Sequence, residues 1–167
     1  MVPIVEPEVL MDGDHTAEDC LNKTSEVIKK CFEELTLHKV DLTGIILKPN
    51  MILAGNKSKD KISNEDVARL TLKCLKNSVP SEVPGIAFLS GGQSEIEATE
   101  NLNLINKHND TNFIMSYSYG RALQAPALKA WNGKPENIFI SQDELSHRAE
   151  MNKLASLGQW EEELEDR

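Results

Sequence analysis

The stretch GIAFLSGGQSE, residues 85–95, joins a short apolar run to a Ser-Gly-Gly loop and then to the start of a helical pattern. The two glycines allow backbone N–H groups to approach a ligand closely, and the Ser90 hydroxyl adds another hydrogen-bond donor. The N-terminus of the following helix carries partial positive charge, which favours an anion at that position. The stretch therefore predicts a strand, an anion-binding loop and a helix, in that order.

Four apolar runs of this kind occur along the chain, each followed by a helical pattern: residues 2–8, 44–50, 85–92 and 113–120. Strands that alternate with helices predict a parallel sheet, because parallel neighbours need a crossover connection. The runs are continuously apolar, which is typical of strands buried on both faces. We therefore expect an α/β fold, either an open sheet or half of a (β/α)8 barrel, since a whole barrel takes about 250 residues.

Capping residues and apolar spacing mark the helices. Thr16 with Asp19 and Ser63 with Asp66 have the spacing of helix N-caps. Apolar faces are expected from Leu21, Ile28, Cys31, Phe32 and Leu35 in the first helix, from Val67, Cys74 and Val79 in the second, and from Ile96, Thr99, Leu102 and Ile105 in the third. A last helical stretch is expected at about residues 138 to 157.

The composition narrows the class of protein. The chain has 167 residues, enough for one domain with a sizeable core, and a net charge of −9. This charge argues against nucleic acid or an anionic membrane as the main partner, but a local cluster of donors could still bind a small anion. The N-terminus lacks the features of a signal peptide, and the three cysteines read as reduced thiols. We expect a soluble cytoplasmic protein.

The letters LSGGQ, residues 89–93, also spell the signature loop of ABC-transporter ATPase domains. Such a domain needs a P-loop upstream, GxxxxGK[ST], and this chain contains none. It also needs a strand that ends in Asp-Glu soon after the signature, and the next apolar run carries no carboxylate. The sequence therefore disfavours an ATPase.

Lys48, Glu6 and Glu8 are the candidate catalytic residues. Lys48 follows the apolar residues 45–47, where partial desolvation favours the neutral, nucleophilic amine that forms Schiff bases. Glu6 and Glu8 have strand spacing, so both point to one side of the sheet, where close carboxylates can differ in protonation and exchange protons. A solvated lysine and an acidic loop remain the alternatives when each feature is considered alone.

Two loops are candidates for binding phosphate. Ser90, Gly91 and Gly92 end the third run, and the sequence YGRAL, residues 119–123, ends the fourth. The second loop supplies a glycine N–H at Gly120 and the guanidinium of Arg121, which suits bidentate phosphate binding. A structural turn would explain either loop alone, whereas both at the ends of neighbouring strands favour phosphate.

Four segments together resemble class I fructose-bisphosphate aldolases: VPIVEPE, ILKPN, FLSGGQSE and SYGRALQ followed by ALKAW. The resemblance covers Val2 to about Gln159 and implies the last four strand–helix units of a TIM barrel over residues 1–158, with an acidic tail at 159–167. It implies a glycolytic lyase that cleaves fructose 1,6-bisphosphate to dihydroxyacetone phosphate and glyceraldehyde 3-phosphate, without metal or cofactor.

The resemblance also assigns roles to individual residues. It implies that Lys48 is the Schiff-base lysine, that Glu6 is the general acid/base and that Glu8 is its neighbour. The residues implied to hold the sugar phosphate are Ser90, Gly91, Gly92, Ser118, Gly120 and Arg121. The family is tetrameric, which implies self-association.

The chain departs from the family pattern because its first run resembles the fifth strand. The first-half residues, among them the aspartate that takes the C4-hydroxyl proton, are not expected here, and the acidic ending EEELEDR lacks the family's terminal tyrosine. Three hypotheses follow: a truncated aldolase with little or no activity, two copies that pair and keep Schiff-base chemistry, or a non-catalytic fragment or binding module. The resemblance suggests the third because full-length members of the family bind actin-type partners.

Overall fold

The computed structural model describes residues 1–166 and contains a parallel sheet of four strands in sequential order. The strands are β1 (Ile4–Val5), β2 (Ile46–Leu47), β3 (Gly85–Phe88) and β4 (Ile114–Tyr117). One register row runs across all of them through Ile4, Ile46, Gly85 and Ile114. The predicted parallel sheet is confirmed, but each strand is shorter than its apolar run, because the ends of the runs form loops.

Five helices connect and follow the strands: α1 (Ala17–Leu37), α2 (Asn64–Ser78), α3 (Glu95–Lys107), α4 (Arg121–Trp131) and α5 (Ile138–Ser156). The predicted N-caps are confirmed. Thr16 Oγ1 accepts from Asp19 N–H at 3.1 Å, and Ser63 Oγ accepts from Asp66 N–H at 3.1 Å. Each cap satisfies a backbone donor that has no partner inside its helix.

Only one face of the sheet is buried, which corrects the expectation that the strands are covered on both faces. Ile86, Phe88 and Met115 lie at 0–2% exposure. In the row on the other side, Ile4 is 54% and Ile114 is 75% exposed. Right-handed crossovers between sequential strands place every helix on the same side, so these four units leave the second face open.

The sequential strand order separates the two architectures that the sequence left open. A doubly wound open sheet reverses its strand order at a switch point and carries helices on both faces. Here the order is β1-β2-β3-β4 without reversal, and both outer strands, β1 and β4, lack a neighbour on one side within the described part of the chain. This arrangement is that of half a barrel.

The expected apolar face of α3 is correct at three positions and wrong at the fourth. Thr99, Leu102 and Ile105 are all at 0% exposure, whereas Ile96 is 44% exposed. Nine residues separate Ile96 from Ile105, which at 3.6 residues per turn is two and a half turns. Ile96 therefore lies on the opposite side of the helix from Ile105.

The residues after α5, 159–166, form a segment that packs back on the helices, which we call the C-terminal segment. Gly158, with φ +68°, ends α5, and its N–H donates to Ala155 O at 3.1 Å. Trp160 is then buried at 5% exposure, and its backbone forms two hydrogen bonds with the Asn103 side chain. The domain boundary at residue 158 stays a prediction.

Two properties of the described residues bear on the sequence analysis. None of the helices within residues 1–166 is both long and apolar enough to cross a membrane. Cys20, Cys31 and Cys74 are all free thiols, with Cys20 and Cys74 buried and Cys31 partly buried. Burial raises the pKa of the Cys20 and Cys74 thiols, so both stay protonated near neutral pH.

Candidate active site

Lys48 and Glu6 form an ion pair where β1 and β2 end. Lys48 N–H donates to Val5 O at 2.7 Å, which fixes the backbone of Lys48 beside the last residue of β1. The Lys48 Nζ atom lies 3.0 Å from Glu6 Oε1. The lysine side chain is 19% exposed and the glutamate side chain 46%, so a small molecule can reach both. The two groups are placed for proton exchange.

Glu8 lies apart from this pair and faces the loop after β3. A methyl group placed on Gly91 would lie 3.1 Å from Glu8 Oε1, so the carboxylate adjoins the glycine backbone. Both residues line a pocket of about 310 Å³ that also contains Ser90, Gly92 and Arg121. Glu6 and Glu8 are expected from their spacing to point to the same side of the sheet and to lie close together. In the structure their contacts differ: Glu6 contacts Lys48, and Glu8 lies against the loop after β3. β1 ends at Val5, so neither glutamate lies in a paired strand that would fix its side-chain direction.

The loop Ser90–Gly92 has a tight conformation that its neighbours fix. Ser90 O accepts from Gln93 N–H at 3.2 Å, which closes the turn, and Ser90 is only 8% exposed. Gly92 has φ +82°, in the left-handed region that favours glycine. A Cβ at Gly92 would be 2.7 Å from the Met11 side chain, so the loop after β1 supports the loop after β3.

The loop after β4 brings Arg121 to the same pocket. Arg121 is the first residue of α4 and is exposed, and α4 has no side-chain N-cap at Gly120. An uncapped helix N-terminus leaves backbone donors available to an anion. Ser118 and Gly120 are not among the residues that line the pocket, although Ser118 N–H donates to Phe88 O at 2.9 Å and continues the sheet.

Tyr119 anchors this loop on α3. Its hydroxyl donates to Ala98 O at 2.9 Å, and the side chain is 6% exposed. Burial raises the pKa of Tyr119 far above its usual value, and the nearby Tyr117 adds to the shift, so the hydroxyl stays a donor at every physiological pH. The anchor holds Ser118 and Gly120 on either side of it.

Some residues at this edge of the sheet were not predicted. Gln93, Asp12 and Asn56 also line the pocket, and the buried amide of Asn50 holds the loop after β1. Gln93 lies inside the quoted stretch and could have been proposed from its position. Asn50 carries no signal, since the partners of a buried amide depend on which loops meet in space.

Metal-binding clusters do not appear among the described residues: no group of three or more His, Cys, Asp or Glu side chains within 1–166 is placed to hold a metal ion. The prediction that the chemistry needs neither metal nor cofactor stays a prediction.

Comparison with known proteins identifies the family. The family model described as fructose-bisphosphate aldolase class-I matches residues 1–167. A fructose-bisphosphate aldolase of Echinococcus multilocularis is 50% identical over 98% of this chain, and a cytosolic aldolase of Arabidopsis thaliana is 47% identical over 95%. The chain spans 46% and 40% of these two relatives.

A solved structure has the same fold and also shows how much of a whole aldolase this chain spans. The aldolase of Plasmodium falciparum, determined in complex with TRAP and a small-molecule inhibitor, superposes with a TM-score of 0.93 at 46% identity. The match covers 96% of this chain and 46% of that one. The predicted fold class, α/β and half of a TIM barrel, is confirmed. The chain belongs to the class I fructose-bisphosphate aldolase family.

Proposed function

We propose that this chain supplies the Schiff-base half of a fructose-bisphosphate aldolase, a lyase that cleaves fructose 1,6-bisphosphate to dihydroxyacetone phosphate and glyceraldehyde 3-phosphate. The observation that carries the proposal is the 3.0 Å contact between Lys48 Nζ and Glu6 Oε1 at the carboxyl ends of β1 and β2. Loops at that end of parallel strands hold the active sites of barrel enzymes. Membership of the aldolase family supports the same reaction.

Imine formation is the first step. The neutral Lys48 amine attacks the ketose carbonyl carbon, a C–N bond forms, and the carbonyl oxygen takes up a proton to give a carbinolamine. Glu6 takes the excess proton from nitrogen and delivers one to the hydroxyl, which leaves as water. The contact with Lys48 allows Glu6 to perform both transfers without moving far.

Bond cleavage uses the protonated imine as an electron sink. The electron pair of the C3–C4 bond moves into the imine and gives an enamine. The C4 hydroxyl becomes the aldehyde and gives its proton to the first-half aspartate that the family resemblance implies, a residue not expected in this chain. The groups proposed to hold the ketose phosphate are Ser90, Gly91, Gly92, Ser118, Gly120 and Arg121. Fixing the phosphate places the substrate carbonyl at Lys48 and lowers the entropic cost of the attack.

Borohydride trapping tests the proposal. Incubation with dihydroxyacetone phosphate and borohydride is expected to reduce the imine to a stable secondary amine on Lys48, read by peptide mass spectrometry. Lys48→Gln removes the nucleophile and is expected to abolish the adduct.

Lys76→Gln is the matched control, because Lys76 lies on α2, pairs with Asp110 and does not line the pocket at the loop after β3. This variant should leave the adduct unchanged. An adduct spread over many exposed lysines, or none at Lys48 in a folded chain, contradicts the proposal.

Non-catalytic binding is the second candidate function. It is favoured by exposed apolar side chains on α4 and α5, where Phe139 is 84%, Leu128 57% and Trp131 42% exposed. The Plasmodium falciparum relative is described in complex with TRAP, which makes a protein partner a reasonable class. A folded chain that binds a protein through these residues but forms no adduct would favour this candidate.

Cellular placement and assembly belong to the same proposal. Three free cysteines and a relative named cytosolic support the cytoplasm, while other relatives are named chloroplastic. The open edges of β1 and β4 support self-association.

A further inference from the structure

Asn50 is a buried amide two residues after Lys48 and is 2% exposed. Its Oδ1 accepts from Val9 N–H at 3.0 Å. Its Nδ2 donates to Thr24 Oγ1 and to Met51 O, both at 3.0 Å. One side chain therefore connects three parts of the chain: the loop after β1, helix α1 and the segment that follows Lys48.

The connection is needed because the sheet stops short of the catalytic pair. The hydrogen bonds from β2 to β1 run from Ile46 N–H to Pro3 O at 3.0 Å and from Lys48 N–H to Val5 O at 2.7 Å. Pro7 has no N–H, so β1 cannot donate to the ladder beyond Val5. Glu6 lies beyond the last of these bonds, and its side chain is 46% exposed. Beyond Val5, the loop after β1 is held at Val9, through the hydrogen bond from Val9 N–H to Asn50.

We infer that Asn50 is a positioning residue for the proposed imine chemistry: by holding Val9, it keeps Glu6 within proton-transfer distance of Lys48. The inference rests on the proposed function. An exposed glutamate pays side-chain entropy to stay in one geometry, so a surface ion pair of this kind contributes little by itself. A fixed backbone reduces that cost, because fewer torsions remain free between the anchored residue and the carboxylate.

Asparagine suits this position by its donors and acceptors. Val9 N–H needs an acceptor, whereas Met51 O needs a donor, and one amide side chain provides both. Aspartate would keep the acceptor for Val9 and would place a second carboxylate oxygen against the Met51 carbonyl. Alanine would remove the partner of the partly buried Val9 N–H and of the buried Met51 carbonyl, which destabilises the fold.

The first experiment measures the rate of borohydride-trapped adduct formation per folded molecule. Asn50→Ala is expected to slow adduct formation by about 10²-fold, as a displacement of about 1 Å in a catalytic group does. Asn103→Ala is the matched control: Asn103 is also 2% exposed and forms two 3.0 Å hydrogen bonds, with the backbone of Trp160. It is expected to lose similar stability and to keep the adduct rate.

A double-mutant cycle separates positioning from general damage. If Asn50 acts through Glu6, Asn50→Ala has little further effect on the adduct rate in a Glu6→Gln background, so the two effects are not additive. Asn50→Asp keeps the acceptor for Val9, and we expect an adduct rate closer to that of the unaltered chain in spite of lower stability. It also tests the inference if Asn50→Ala does not fold, because a rate as low as that of Glu6→Gln in a variant that keeps the Val9 contact would contradict the inference.

Additive effects, or equal loss of rate in Asn50→Ala and Asn103→Ala, overturn the inference. If the unaltered chain forms no adduct, the proposed function fails. The contact between Glu6 and Lys48 is then measured directly, without the reaction. After reductive ¹³C-methylation, the NMR chemical shift of the Lys48 methyl groups should change in Asn50→Ala in the same direction as in Glu6→Gln, because both variants remove the contact with Glu6. A Lys48 chemical shift that Asn50→Ala leaves unchanged overturns the inference in that case.

Discussion

At the scale of single residues, Gly92 shows how one backbone conformation supports the phosphate loop. Its φ of +82° is unfavourable for any residue with a side chain, and Met11 leaves no room for a Cβ. Met11 is itself 4% exposed and cannot move into solvent without opening the core.

Gly92→Ala is therefore expected to lower the free energy of unfolding by about 2–4 kcal/mol, from backbone strain and overpacking together. Chemical denaturation measures the loss. Gly44→Ala is the control, because a Cβ at Gly44 meets no atom within 4 Å. Equal stability of the two variants would show that Gly92 is not constrained as described.

Single residues also show which parts of the site could be predicted. Lys48 and Glu6 could be proposed because each directly follows an apolar strand, and parallel strands bring their carboxyl ends together. The separation of Glu8 from this pair could not be predicted, since β1 ends at Val5 and the loop contacts beyond it are not encoded in residue spacing. Asn50 and Met11 act through contacts between loops, which spacing along the chain does not encode.

At the scale of elements, the C-terminal segment is held by a buried ion pair. The two terminal guanidinium nitrogens of Arg148 on α5, Nη1 and Nη2, donate to the Glu165 carboxylate, and Trp160 Nε1–H donates to Glu165 Oε1 at 2.9 Å. The side chains are 6% exposed for Arg148 and 13% for Glu165. Removing one partner of a buried pair leaves the other charge without compensation.

Glu165→Gln is expected to cost about 3 kcal/mol of stability and to loosen Trp160. Trp160 fluorescence in a Trp131→Phe background reports the loosening, and thermal denaturation reports the stability. Glu163→Gln changes an exposed glutamate of the same segment and is expected to leave both unchanged. Identical behaviour of the two variants would contradict the role of the ion pair.

The same pair gives stability a pH dependence. Burial raises the pKa of Glu165, but hydrogen bonds from Arg148 and Trp160 and the nearby positive charge more than offset this, so the folded-state pKa lies below its usual value. A lowered folded-state pKa means that the contribution is present above the ordinary glutamate value of about 4.3. It is lost as the pH falls through the folded-state pKa, and Glu165→Gln should lack this loss.

The starts of helices could be predicted best, because an N-cap depends on residues that are close together in the sequence. Thr16 and Ser63 mark the starts of α1 and α2 because a hydroxyl and an acidic residue three positions later satisfy each other and the backbone. Strand lengths were harder: the apolar runs predict where a strand lies, but pairing with neighbours decides where it ends. The return of the C-terminal segment onto α3 depends on Asn103 and Arg148, far away in sequence.

At the scale of the whole molecule, the apolar runs predicted a parallel sheet but overstated its burial. Continuous apolar strands indicate two covered faces, and within residues 1–166 the helices cover one. The apolar row through Ile4, Ile46 and Ile114 is the second face. The apolar residues on both faces of the strands suit a closed barrel, in which both faces are buried. This chain spans 46% of the aldolase structure that it matches.

The open face and the free edges of β1 and β4 predict that the chain associates with itself in solution. Ile114 is 75% exposed on an edge strand, so Ile114→Lys places a charge there and is expected to shift the population towards monomer. Phe139→Lys is the control, since Phe139 is 84% exposed but lies on α5 rather than on the sheet. Light scattering coupled to gel filtration measures the mass. A monodisperse monomer for the unaltered chain would contradict the argument from the edges, and an equal shift for Phe139→Lys would move the contact to the helices.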